Sequence, residues 1–113
     1  MWLFTSRGFV SVVQDRDNND NLLVRARVRD HLQALLPQAI VTETLDSDYR
    51  YRVNVKKKIV AKLFADQVDA ICYPNFKDSI VDPDYHSACL KVWGVMNGLQ
   101  AGSDRKDWLG FAL

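Results

Sequence analysis

The chain has 113 residues, 48% of them hydrophobic and 26% charged, enough to bury one globular core without disulfide or metal staples, and this excludes global disorder. Its 15 lysines and arginines nearly balance 14 aspartates and glutamates, for a formal charge of +1. A surface basic throughout is thereby excluded, and attraction for nucleic acid or membrane must come from local clustering. Cys72 and Cys89 are too few and too far apart for a disulfide framework or a CxxC metal pair, and read as reduced thiols of a cytoplasmic protein.

In chain order, Trp2 to Thr5 and Phe9 to Gln14 read as extended segments around a turn at Ser6-Arg7-Gly8, where glycine can take a positive φ. Thr5, Ser6, Arg7, Gly8 and Ser11 interrupt any apolar run, so the N-terminus does not read as a signal peptide, and no membrane-spanning segment is expected. The polar stretch Asp15 to Asn21 is a hairpin loop. Asp15, Asp17 and Asn19 imitate the start of a calcium loop, but the sixth position is Asp20 where glycine is needed and the twelfth is Ala26 where glutamate is needed. No metal or cofactor is expected.

Two strands follow in which basic and apolar residues alternate, Leu22 to Val28 and Tyr49 to Val55. Because side chains of a strand leave on opposite faces at period two, Arg25, Arg27, Arg50 and Arg52 belong to one face, and Val24, Ala26, Tyr51 and Val53 to the other. One face builds a core and the other a positive patch. Between them Asp30 can cap a short helix through Leu36 with the stripe Leu32, Leu35 and Leu36, ended by Pro37. A strand at Ile40 to Leu45 then turns through Asp46-Ser47-Asp48.

From Lys56 to Ile71 the apolar residues Ile59, Val60, Leu63, Phe64, Val68 and Ile71 form a helical stripe. Lys56-Lys57-Lys58 stand at its start, where cations oppose the helix dipole; no glycine-rich turn precedes them, so they read as a solvated charge run. Tyr73-Pro74 makes a sharp exit from this helix, with Tyr73 and Phe76 as core plugs. Asp82-Pro83 opens a third helix, expected to run to Asn97 with Tyr85, Ala88, Cys89, Val92 and Met96 on its buried face. Gly94 and Gly98 allow close approach of a second backbone and so a homodimer, or else simply end the helix. Residues 101–113 form a tail, polar over Ser103 to Lys106, with Trp108, Leu109, Phe111 and Leu113 suited to docking.

Strand, helix, strand, strand, helix from Leu22 to Ile71 is most of a split βαβ unit, and Phe9 to Gln14 can supply its last strand. The expected fold is therefore a single α+β domain, a two-layer sandwich. Its mainly antiparallel sheet of four to five strands carries packed helices, ferredoxin-like in a circularly permuted order.

The expected function is binding of an anionic ligand or acidic protein partner by Arg25, Arg27, Arg50 and Arg52, with Asn75 and Lys77 at the edge of the face. Three readings stand against it. Glu43 and nearby aspartates can neutralise the arginines across strands, or the third helix and tail can cover them. Nucleic acid is a second occupant, but RNA-binding sheets stack bases on exposed aromatics, and Tyr49 and Tyr51 share the phase of the core valines. The third is a small enzyme acting on an anionic substrate, with His86, Cys89 or Lys77 as its chemical group; His86 and Cys89 lie three apart on one helix, whereas Asp30 cannot orient the adjacent His31. No catalytic residue is assigned and no membrane partner is expected.

The segments Leu22 to Arg27, Asp48 to Arg52 and Tyr73 to Lys77, together with Val92-Trp93-Gly94-Val95-Met96, resemble a group of small uncharacterised bacterial and phage proteins. The resemblance spans about Trp2 to Leu99. It implies a compact domain and carries no activity.

Overall fold

The computed structural model describes residues 1–108, with side chains through 104. The expected docking residues Leu109, Phe111 and Leu113, and the side chain of Trp108, lie outside the described residues. The chain divides into two compact units, Met1–Pro74 and a second that begins at Asn75.

The first unit is α+β. Strands β1 (Trp2–Thr5), β2 (Gly8–Gln14), β3 (Asn21–Ala26), β4 (Thr42–Glu43) and β5 (Tyr51–Lys56) form one open sheet in the order β1-β2-β3-β5-β4. Every neighbouring pair is antiparallel. Helix α1 (Arg29–Leu35) joins β3 to β4, and helix α2 (Lys57–Asp69) follows β5 directly. The alternation in β2, β3 and β5 sends Val10, Val12, Val24, Ala26 and Val53 to one face, where they meet Leu32, Leu35 and Leu36 of the α1 segment and Val60 of α2. Val24 and Leu32 are fully enclosed, and burying such an aliphatic side chain contributes about 1.5–3 kcal/mol.

Local chemistry sets the connections. In the hairpin between β2 and β3, Asp20 N donates to Asn18 Oδ1 (2.9 Å) and Gln14 Nε2 to Asn19 Oδ1 (2.7 Å), so Asn19, which imitates a calcium ligand in the sequence, helps close a turn with Asn18. Helix α1 begins at Arg29, and its N-cap is Val28 rather than Asp30, which lies in the first turn and there complements the helix dipole. The strand expected over Ile40 to Leu45 contracts to Thr42–Glu43, with Ile40 93% exposed. Of the predicted stripe only Val60, Leu63 and Phe64 reach the core, while Ile59 and Val68 on α2 and Ile71 beyond its end are exposed.

The second unit contains a short 3-10 turn, Lys77–Ser79, and helix α3, Pro83–Trp108. Asp82 caps α3 through Oδ2, which accepts from Tyr85 N at 2.8 Å, and Pro83 occupies the first helical position. The helix does not stop near Asn97 but continues through the polar segment 103–106. Gly98 and Gly102 lie inside it, and nothing lies within 4 Å of a Cβ built on Gly94, Gly98 or Gly102. Of the expected buried face, Tyr85 and Cys89 are buried, whereas Ala88, Val92 and Met96 are exposed.

Gly8 is required for space rather than for a left-handed turn. A Cβ there would lie 2.5 Å from His31 Cβ and Cγ and 2.7 Å from His31 Cα, and Phe9 N donates to His31 Nδ1 at 3.2 Å next door. Gly8→Ala is therefore expected to destabilise the protein by about 1–3 kcal/mol. Gly98→Ala, in the open interior of α3, is expected to stabilise it by up to about 1 kcal/mol. Urea unfolding of the two variants checks both, and equal effects would contradict this account of Gly8.

Candidate anion-binding face

The face of the sheet opposite the core is built by the intervening residues of the same strands. The register pairs Trp2 with Ser11, Ser11 with Arg25, Arg25 with Arg52, and Arg52 with Thr42, so one row crosses all five strands from an indole through a hydroxyl to two guanidinium groups. Phe4 pairs with Phe9 in the adjacent row. The sheet thus carries aromatic side chains at its β1–β2 side and arginines at β3–β5.

Tyr49 joins the two halves. It precedes β5 in an irregular segment, so the strand alternation does not govern it, and its ring does not share the core side of Tyr51 and Val53. Tyr51 packs with the core. The Tyr49 ring instead meets Phe9 at 6.4 Å between centroids, Arg25 Cζ at 4.6 Å and Arg27 Cζ at 4.3 Å. Phe9 in turn stacks on Phe4 at 4.6 Å and meets Trp2 edge-on at 5.9 Å. Tyr49 is only 5% exposed, and Trp2 is 69% exposed. The buried phenol ring is a platform beneath two cations; the indole is left accessible at the sheet edge.

The arginines differ in how they are neutralised. Arg27 Nη1 donates to Asp48 O (2.9 Å) and Oδ1 (3.1 Å), and this carboxylate raises its pKa against a smaller desolvation effect. Glu43 does not reach the patch: it pairs with Arg29 at 3.6 Å, whose guanidinium lies 5.1 Å from the Tyr51 ring. Arg25 and Arg52 face each other across β3 and β5 with no carboxylate partner among the described residues. Arg25 Nη2 donates to the buried Ser11 Oγ at 2.8 Å; Arg52 Nη2 donates to Ser47 Oγ and to Tyr49 O, the latter at 3.2 Å. All these acceptors are neutral. The Nε atoms of both arginines are withdrawn from solvent and have no acceptor among the described residues. Arg50 is exposed one residue before β5.

Like charges directly opposite one another destabilise a sheet, and each buried donor without an acceptor costs about 1–3 kcal/mol. This pair is thus a half-buried, under-satisfied dication. Cross-strand neutralisation accounts for Arg27 but not for Arg25 and Arg52.

Asn75 and Lys77 belong to the second unit and have partners there. Asn75 Oδ1 accepts from Asp78 N at 3.4 Å, and Lys77 Nζ lies 4.4 Å from the Trp93 ring centroid. Cys89 hydrogen-bonds with Tyr85, and burial raises its thiol pKa by more than that bond lowers it, which makes it a poor nucleophile. Among the described residues, no group of three or more His, Cys, Asp or Glu side chains could hold a metal ion, and no helix is long and apolar enough to cross a membrane.

Trp2, Phe4, Phe9, Ser11, Ser47 and Tyr49 complete the face beyond the predicted arginines. The first four are legible in retrospect from period two, because they alternate with Leu3, Val10 and Val12 of the core. Ser47 and Tyr49 lie outside any strand and carry no such signal. No protein-family model, curated protein or solved structure matches this chain.

Arg25→Met keeps the stem over Tyr49 and removes one of the opposed charges. It is expected to change stability by less than about 1 kcal/mol, since the lost cation–π attraction and Ser11 hydrogen bond are offset by relieved repulsion and by removal of the unpaired Nε. A loss of about 3–5 kcal/mol in urea unfolding, the signature of a broken buried ion pair, would contradict this.

Proposed function

We propose that this protein is a binding module, not an enzyme, and that its sheet face takes an oxyanion between Arg25 and Arg52. The observation that carries the proposal is the in-register pairing of these two residues, each with only neutral acceptors among the described residues. Guanidinium groups present planar donor forks matched to phosphate or carboxylate, and the Nη1 group of each has no protein partner among the described residues. An oxyanion bridging them would replace repulsion by two charge-assisted contacts. Arg50 is an exposed cation nearby in sequence, and Arg27, already held by Asp48, braces Tyr49.

The finer fold belongs to the same proposal. The order β2-β3-β5-β4, with α1 between β3 and β4 and α2 after β5, supports a circularly permuted ferredoxin-like sheet to which β1 is added at one edge. In that arrangement β3 and β5 are the central pair.

Inorganic pyrophosphate is expected to raise the melting temperature more than sodium chloride of equal ionic strength. At 100 times its Kd the ligand would add about 2.7 kcal/mol. The double variant Arg25→Met/Arg52→Met should respond to the two salts alike. An equal response of the native protein to both would refute a specific anion site.

A further inference from the structure

We infer that the natural occupant of this face is a single-stranded nucleic acid, with a base stacked on Trp2 and its phosphodiesters on Arg25 and Arg52. The inference rests on the anion-site reading above and adds to it what the aromatic half of the sheet is for. Phosphate recognition alone requires only the arginines. It gives no reason for an indole 69% exposed at the edge of the same row, backed by the stacked pair Phe4 and Phe9.

Trp2 and Arg25 are two strands apart in one register row, hence about 10 Å apart along the sheet. Base plane and phosphate can be engaged side by side on one surface. The Trp2 ring meets Phe9 edge-on at 5.9 Å and stays largely open to solvent, so a base can land on it. Single strands are bound by this combination of an aromatic platform and a cationic track, and stacking tolerates any base because each has a π-face.

Other anionic partners fit less of the surface. An acidic peptide would use the arginines and leave the indole idle. A duplex offers phosphates but keeps its bases stacked inside, so it too leaves Trp2 without a role. The aromatic content expected to be missing from the patch is present; it comes from β1, β2 and Tyr49 instead of from the two arginine strands.

The test is fluorescence anisotropy of a short labelled oligothymidine with the full chain. Binding is expected, with log K falling against log salt at a slope of about −1.4, from two phosphate contacts at about 0.7 each. Trp2→Ala should weaken it about 5- to 150-fold, the loss of one stacked base, while Trp2→Phe retains most of the affinity and so excludes misfolding as the cause. Arg25→Met/Arg52→Met should abolish binding.

Absence of oligothymidine binding by a protein that pyrophosphate still stabilises would overturn this inference and leave the anion site standing. Absence of both responses would overturn both. Binding indifferent to Trp2→Ala, or equal binding of a duplex of the same charge, would overturn the single-strand assignment.

Discussion

The register that seats Val24 opposite Val53 also sets Arg25 opposite Arg52, and the candidate site depends on that coupling. A slip of one residue would turn Val24 out of the core and the arginines into it. The apolar side enforces the register strongly: Val24 is wholly buried, Val53 nearly so, and Leu32 and Val60 close over the same cluster. Core packing thereby holds two like charges together on the other side, at a distance that neither would choose alone.

The surroundings soften this repulsion without cancelling it. Tyr49 lies against the guanidiniums of Arg25 and Arg27, Ser11 and Ser47 accept one hydrogen bond each, and the Tyr49 carbonyl accepts another. Each is a neutral group, so the field of the pair persists. By contrast, Arg27 has Asp48 and Arg29 has Glu43, both surface pairs of the kind that contribute about 0–1 kcal/mol. Among the described residues two arginines are paired with acids and the two at the sheet centre are not, and that contrast singles out the centre as the place for an incoming anion.

Much of the first unit is legible in the sequence because period two is strong there. The alternation of Phe9, Ser11 and Val13 with Val10 and Val12, and of Arg25 with Val24 and Ala26, identifies β2, β3 and their faces. The arginine patch follows from the same rule. What escapes is whatever lies beyond the ends of the ladders. Tyr49 looks core-facing when the alternation of β5 is extended two residues too far, yet it sits in the bend before the strand and turns beneath the cations. Gly8 suggests a left-handed turn from its residue type, whereas its actual constraint is the approach of His31, which only tertiary structure brings near. In the second unit Gly98 looks like a helix end, but glycine costs a helix only about 1 kcal/mol, and α3 runs past it.

The most direct measurement is an NMR titration of the arginine Nε–Hε correlations with pyrophosphate, using Arg25→Met and Arg52→Met to assign the two central signals. These two signals are expected to move together and saturate, while those of the remaining arginines follow the smaller drift produced by matched sodium chloride. If the Arg25 and Arg52 signals move no more than the rest, the opposed pair is not an anion site, and the central claim fails.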